Sequence, residues 1–70
     1  MMRAIFDRVA PKRARVWVWQ HDEGTERFQV QKVFRDVRGR VRQTFKYYQR
    51  RDAAIGYACR WIARFEEVRP

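Results

Sequence analysis

The amino-acid sequence predicts an α+β domain in which one carboxyl-terminal amphipathic helix packs on one face of a three-stranded antiparallel sheet. Three observations favour this fold: apolar residues alternate with polar ones from residue 15 to 48, a turn motif divides that stretch, and a helical pattern follows Asp52. A chain of 70 residues has room for one small core, so residues 1–70 are expected to form a single domain. A hydrophobic content of 46%, with 16% aromatic residues, is sufficient to fill that core.

The first 14 residues form an amino-terminal arm whose structure the pattern does not decide. Ile5, Phe6 and Val9 are apolar, but Pro11 and a basic run interrupt the segment before the first clear strand. A terminal segment becomes ordered only when something ties it down. A short helical turn, a fourth strand and a frayed tail therefore stay open for this arm. A strand added from a second copy would make a dimer.

The first strand is predicted at residues 15–20 and the second at residues 27–35, after a polar loop that contains Gly24. Their pairing decides the positions of Trp17 and Trp19. If Gln20 pairs with Arg27, both indole rings face the core, and we prefer this register because so small a chain needs the rings to cover the helix. A slip of one residue would instead make both rings a stacking platform for unpaired bases, which would move the prediction from duplexes to single strands.

A second hairpin is predicted around Asp36-Val37-Arg38-Gly39, which has Asp at the first and Gly at the fourth position of a type I turn. A four-residue loop would pair Arg35 with Arg40 and place the large apolar side chains of both strands on one face. A three-residue loop with a bulge would bring Val30 opposite Lys46 and mix apolar and basic residues on both faces. We prefer the four-residue loop, which predicts the third strand at residues 40–48.

A helix is predicted over residues 52–67, because Asp52 is a good N-cap residue and an apolar arc follows it at helical spacing. This arc consists of Ala54, Ile55, Ala58, Cys59, Trp61, Ile62 and Phe65. The large side chains expected in the core are Trp17, Trp19, Phe28, Val30, Phe34, Phe45, Ile55, Trp61, Ile62 and Phe65. Lys32 departs from the alternation by pointing toward the helix side, where we expect it to lie at a rim with its ammonium group in water.

The side chains that enzymes need are scarce, because the chain has one His, one Cys, no Ser and no glycine-rich phosphate loop. We therefore expect no catalytic activity, no cofactor, no metal site and no small-molecule substrate. His21, Asp22 and Glu23 are adjacent loop residues, which seldom converge on an ion. Cys59 is expected to be a buried, unreactive thiol. A lone cysteine, with no recognisable signal peptide or membrane span, predicts a cytoplasmic location.

Positive charge is concentrated in the second hairpin. The chain carries +9 overall, and residues 27–51 alone hold nine basic residues and one acidic residue. In the preferred register the exposed face of this hairpin collects cations, which neutralise phosphates, and amides, which hydrogen-bond base edges. The residues expected to bind nucleic acid, one of them in the turn, are Arg27, Gln29, Gln31, Arg35, Arg38, Arg40, Arg42, Thr44 and Lys46. The predicted function is that of a small basic nucleic-acid-binding protein, with DNA favoured over RNA because a two-stranded ribbon fits the major groove.

The order of three strands and one helix, with a basic hairpin, resembles the small DNA-binding modules in the amino-terminal arms of integrases. Single-strand binders of the Pur or Whirly type share the theme of a sheet with a helix. The resemblance is one of architecture and carries no diagnostic motif, so no functional residue follows from it.

A protein-docking role is the alternative that the sequence leaves open. The solvated face of an antiparallel sheet is polar in many proteins, whatever their function. A small regulator, for example one encoded by a phage, would dock on its partner through an uncovered sheet edge or the patch of Val16, Val18 and Val33. The expected partners are thus nucleic acid first, then a protein or a second copy, and no membrane.

Overall fold

The computed structural model describes residues 1–66, which form one four-stranded antiparallel sheet and one helix. The strands are β1 (Met2–Ala10), β2 (Ala14–His21), β3 (Phe28–Arg35) and β4 (Val41–Tyr48), and the helix is α1 (Arg51–Glu66). The strands lie in the order β1-β2-β3-β4, so each pairs with its neighbour along the chain. The predicted α+β fold is confirmed, and the amino-terminal arm supplies a fourth strand.

The core lies between α1 and the centre of the sheet. Ala54, Ala58 and Ile62 follow one another at a spacing of four residues on α1, and Ile62 is 0% exposed. They pack against Val16, Val18 and Val30, which are also 0% exposed. Because the two alanines are short, α1 lies close to the sheet, and branched aliphatic side chains rather than indole rings fill the space between the layers.

Aromatic rings surround this core on the helix side. The rings of Phe34 on β3 and Trp61 form an edge-to-face pair with centroids 5.8 Å apart, and the Trp61 ring lies 4.8 Å from that of Phe65. Phe28 and Ile55 also pack against the buried cluster. These five residues, together with the buried Val30 and Ile62, confirm most of the predicted core.

The predicted register of the β3–β4 hairpin is wrong, and the three-residue loop with a bulge is the one that forms. The amide of Gly39 donates to the carbonyl of Asp36 at 2.9 Å, as a type I turn requires, and Gly39 has a φ of 78°. The amide of Asp36 then donates to the carbonyl of Arg40 at 2.9 Å, so Arg35 lies opposite Val41. The extra residue at positive φ thereby shifts β4 by one position.

This shift moves Phe45 out of the core. Gln31 lies opposite Phe45, and Val30 lies opposite Lys46. The Phe45 side chain points away from α1 and is 46% exposed. The prediction of Phe45 as a core residue is therefore wrong.

The predicted pairing of β2 with β3 is also displaced by one residue. Gln20 lies opposite Phe28 rather than Arg27. Val16 and Val18 consequently face α1 and are fully buried, so the expected exposed patch that included them does not exist. Trp17 and Trp19 lie on the opposite face of the sheet and are partly exposed, which contradicts their expected place in the core.

The helix begins one residue earlier than predicted. Asp52 lies within the first turn of α1 rather than at the N-cap, and the Arg50 guanidinium donates to its carboxylate at 3.1 Å. The amide of Ala54 donates to the carbonyl of Arg50 at 3.2 Å, which places Arg50 at the start of the helical hydrogen bonds. The predicted end of the helix at residue 67 lies outside the described residues.

Candidate nucleic-acid interface

One face of the sheet carries no helix, and we call it the open face. It is formed by side chains of β2, β3 and β4 that point away from α1, because alternate residues of a strand face opposite sides. Its members are Arg15, Trp17, Trp19, His21, Gln29, Gln31, Val33, Arg35, Val41, Gln43, Phe45 and Tyr47. Phe45 and Tyr47 are 46% and 51% exposed, so four aromatic rings are accessible from this side to different degrees.

Two hydrogen-bonded rows of side chains hold the open face in place. The Trp19 indole N–H donates to the Gln31 Oε1 at 2.9 Å, and the Gln31 amide donates to the Gln43 Oε1 at 3.2 Å. In the other row, His21 Nε2 lies 2.9 Å from the Oε1 of Gln29, whose amide donates to the Tyr47 hydroxyl at 3.4 Å. Each row crosses three strands, so the central glutamine is held on both sides and the Trp19 and Tyr47 side chains are each held by one hydrogen bond.

Arg15 of the open face contacts both an aromatic ring and a carboxylate. Its guanidinium lies 4.5 Å from the centroid of the Trp17 ring, within the range of a cation–π interaction. Two of its nitrogens donate to the carboxylate of Asp7 on β1, at 3.0 and 2.7 Å. These hydrogen bonds lower the pKa of Asp7 and raise the pKa of Arg15, so the pair stays ionised.

Cations from two turns meet at one end of the sheet. The β1–β2 turn is closed by the Arg13 amide, which donates to the Ala10 carbonyl at 3.0 Å. The Arg35 amide donates to the Arg13 carbonyl at 3.2 Å and thus places this turn beside the start of the β3–β4 turn. We call this end the basic end, and its cations are Lys12, Arg13, Arg15, Arg35, Arg38, Arg40 and Arg42.

Asp36 organises the β3–β4 turn within the basic end. Its Oδ1 accepts the backbone amides of Arg38 at 2.9 Å and Arg40 at 3.0 Å, and its Oδ2 accepts the Arg42 guanidinium at 3.1 Å. The Arg40 amide, followed by the Arg42 guanidinium and the Arg38 amide, lowers the pKa of the Asp36 carboxyl. Asp36 is therefore ionised at neutral pH and shapes the turn that displays the arginines.

The nine residues predicted to bind nucleic acid do not share one face. Gln29, Gln31 and Arg35 lie on the open face, whereas Arg42, Thr44 and Lys46 point to the side of α1. Arg38 and Arg40 lie in the turn, and Arg27 precedes β3. The expected single basic face of the hairpin is wrong, because that expectation depended on the four-residue loop.

On the helix side, the lysines of β3 and β4 lie against aromatic rings. The Lys32 ammonium donates to the Tyr57 hydroxyl and lies 4.8 Å from the Tyr57 ring. The Lys46 ammonium lies 4.7 Å from the same ring. The expected position of Lys32 on the helix side is confirmed, but its ammonium group lies against aromatic rings of α1 instead of extending into water.

No family model, curated protein or solved structure matches this chain. Within residues 1–66, no helix is long and apolar enough to cross a membrane. The same residues hold no cluster of three metal-ligating side chains, and His21 contacts Gln29 instead. The chemistry of the open face and the basic end is therefore the basis on which a function can be proposed.

From the sequence, exposed tryptophans were expected only if β2 and β3 paired in the alternative register. Two other parts of this interface were missed. Phe45 was assigned to the core by a register chosen for its apolar pairs. Lys12 and Arg13 belong to an arm of undecided structure, so their proximity to Arg35 was not visible. The glycine at the fourth position of the turn was the signal that could have revealed the bulge, since a three-residue loop uses Gly at that place.

Proposed function

We propose that this protein binds single-stranded nucleic acid, with the bases on the open face and the phosphates at its basic end. The observation that carries the proposal is that Trp17, Trp19, Phe45 and Tyr47 lie on a sheet face that the helix leaves uncovered. Bases stack on aromatic side chains with about 1–3 kcal/mol per base, and every base has a ring face to offer. Two rings on β2 and two on β4, on either side of β3, thus form a stacking surface.

The amide rows supply polar partners between the rings. Gln31 is hydrogen-bonded to Trp19 and Gln29 to Tyr47, and Gln43 is bonded to Gln31. The amide groups of glutamine can donate to and accept from base edges once a base lies beside them. Because each row already holds its members in place, little side-chain entropy is lost when a strand binds.

The cations of the open face lie where the backbone of a bound strand would run. Arg15 stacks on Trp17, and Arg35 lies opposite Val41 at the same end of the sheet. A guanidinium has five N–H donors, so Arg15 retains donors for a phosphate while it holds Asp7. The association should weaken as salt rises, because each neutralised phosphate releases counterions.

A single strand is a better ligand than a duplex for this arrangement. Duplex binding by the hairpin would need its cations on one face, but Arg42 and Lys46 lie on the face opposite Gln29 and Gln31. The bases of a duplex are also stacked on each other and are not free to meet Phe45 or Tyr47. The geometry thus supports the single-strand alternative over the duplex that the preferred register implied.

The test is a titration with single-stranded DNA, single-stranded RNA and duplex DNA of equal length, each at two salt concentrations. We expect both single strands to bind more tightly than the duplex, with a slope of log affinity against log salt of about −0.7 for each phosphate neutralised. The comparison of DNA with RNA identifies the preferred strand. Tighter binding of the duplex, or no binding to any of the three near physiological salt, would contradict the proposal.

Variants on β4 test whether the open face is the surface used. Phe45→Ala and Tyr47→Ala should each weaken single-strand binding about tenfold, the equivalent of about 1.4 kcal/mol. Thr44→Ala is the matched control, because Thr44 directly precedes Phe45 in the sequence, is exposed, and points to the other face. Equal weakening by all three substitutions would mean that the open face has no special role.

A protein-docking role through β4 is the competing proposal. β4 is an edge strand whose Val41, Phe45 and Tyr47 side chains are 63%, 46% and 51% exposed. Its other face carries Arg42 and Lys46, and charged residues on an edge strand oppose the addition of another strand. We therefore place nucleic acid first. Absence of oligonucleotide binding, together with dimers in sedimentation experiments, would favour a second copy on this edge.

A further inference from the structure

A pocket of about 260 Å³ lies at the basic end, on the helix side of the sheet. It is lined by Lys12 and Arg13 of the β1–β2 turn, Arg35 at the end of β3, and Arg64 and Phe65 in the last turns of α1. Four cations from three separate parts of the fold thus surround one space. Among the described residues that line it, none is acidic.

Two of the four cations are held in place by backbone carbonyls. The Arg13 Nη1 donates to the Phe65 carbonyl at 3.1 Å, and the Arg35 Nη1 donates to the Gly39 carbonyl at 3.1 Å. Each of these bonds uses one of the five N–H donors of a guanidinium, so both side chains keep donors for a ligand. Glu66 follows Phe65 in the sequence, and its carboxylate accepts a hydrogen bond at 2.8 Å from the guanidinium of Arg8 on β1.

Four like charges around one pocket repel one another, and an anion would remove that repulsion. Arginine suits phosphate oxygens in particular, because its planar group donates two parallel hydrogen bonds. The pocket also lies next to the proposed strand-binding surface. Lys12, Arg13 and Arg35 line both this pocket and a hollow of about 210 Å³ that reaches Val33 and Val41 on the open face.

We propose that this pocket binds the terminal phosphate of a nucleic-acid strand whose bases lie on the open face. This inference rests on the proposed function and specifies where the end of the bound strand lies. A terminal phosphate monoester carries close to two negative charges at neutral pH, whereas an internal phosphodiester carries one. Four cations therefore match the terminal group better than an internal one.

The experiment compares three unlabelled oligonucleotides of one sequence by calorimetric titration: with a 5′-phosphate, with a 3′-phosphate, and with hydroxyl groups at both ends. We expect one phosphorylated form to bind the wild-type protein about tenfold more tightly than the hydroxyl form, and the form that gains identifies the end that is held. Equal affinities for all three would overturn the pocket assignment and would leave the proposed function intact.

Variants of two arginines on α1 distinguish binding in the pocket from general electrostatic attraction. Arg64→Gln should abolish most of the tenfold gain and leave the affinity for the hydroxyl form within about twofold. Arg60→Gln is the matched control, since Arg60 lies one turn earlier, is exposed, and does not line this pocket. A gain that survives in Arg64→Gln, or that is lost equally in Arg60→Gln, would contradict the assignment.

Inorganic phosphate tests the pocket without a strand. At constant ionic strength it should raise the melting temperature of the wild type more than that of Arg64→Gln, because a ligand that binds only the folded state stabilises it. If no oligonucleotide binds but this difference is found, the pocket stands and the proposed function fails. Identical melting shifts in the two proteins would count against the pocket.

Discussion

Gln31 and Phe45 lie opposite each other on β3 and β4, on the face of the sheet that α1 does not cover. This pairing follows from the bulged turn at Gly39, and it places an aromatic ring beside an amide that is already bound to Trp19 and Gln43. The same register sends Lys46 to the helix side, opposite Val30. This one turn thus places Phe45 and Tyr47 on the open face and Arg42 and Lys46 on the helix side.

The first prediction concerns the unequal importance of two large apolar residues. Phe45→Ala should lower the free energy of unfolding by about 1 kcal/mol or less, the size of a cross-strand pair, because the ring is half exposed. Ile62→Ala should cost about 2–5 kcal/mol, since Ile62 is fully buried against Val16 and Val18. Urea denaturation measures both. A loss for Phe45→Ala as large as that for Ile62→Ala would restore the rejected four-residue loop.

The second prediction uses two glycines that should respond in opposite directions to alanine. Gly39 has a φ of 78° with no atom within 4 Å of an added Cβ, so Gly39→Ala should destabilise the protein by about 1–2 kcal/mol through backbone strain alone. Gly56→Ala should stabilise it by about 0.5–1 kcal/mol, because Gly56 lies inside α1. The added Cβ would meet only the mobile end of Arg60, at 3.2 Å. Thermal unfolding of the two variants gives the signs, and a neutral Gly39→Ala would argue against the bulge.

The third prediction is the pH dependence that Asp36 gives to stability. The backbone amide of Arg40, then the Arg42 guanidinium and the Arg38 amide, hold the pKa of this carboxyl below its value in the unfolded chain, about 3.9. Its stabilisation is therefore complete above about pH 5 and is lost as the pH falls through the folded-state pKa. The urea midpoint of Asp36→Asn should lie below that of the wild type at pH 7, and the difference should shrink as the pH falls below about 3.9 and through the folded-state pKa.

Arg42→Gln serves as the control for that measurement. It removes the guanidinium but leaves the Arg38 and Arg40 amides on Asp36, so part of the pH dependence should remain. A difference between wild type and Asp36→Asn that stays constant from pH 7 to pH 2.5 would show that the carboxylate charge does not contribute.

The elements of the fold were predictable because each has a local pattern. The alternation around Trp17 and Trp19 predicted β2, the Asp36–Gly39 motif predicted a type I turn, and the helical spacing of Ala54, Ala58 and Ile62 predicted the buried side of α1. Whether the arm would form a strand was open, since Ile5 and Phe6 gain their partners only when β2 is beside them.

The faces of the strands were not predictable from the same patterns. Val18 and Trp19 are both apolar, so both sides of β2 look like a core side, and hydrophobicity alone favoured the larger ring. The structure buries Val18 because the short side chains of Ala54 and Ala58 bring α1 close to the sheet. The face that β2 turns toward the core thus depends on the distance between the helix and the sheet. That distance is a property of the packed fold and not of any one strand.

The most direct test of single-strand binding on the open face is a nuclear magnetic resonance titration of the labelled protein with an unlabelled single-stranded oligonucleotide. The indole N–H signals of Trp17 and Trp19 and the backbone signals of Phe45 and Tyr47 should shift in proportion to the bound fraction. The indole signal of Trp61 and the backbone signal of Ala58, both on α1, should stay near their free positions. Large shifts at Trp61 and Ala58 with unmoved Trp17 and Trp19 signals would contradict binding on the open face.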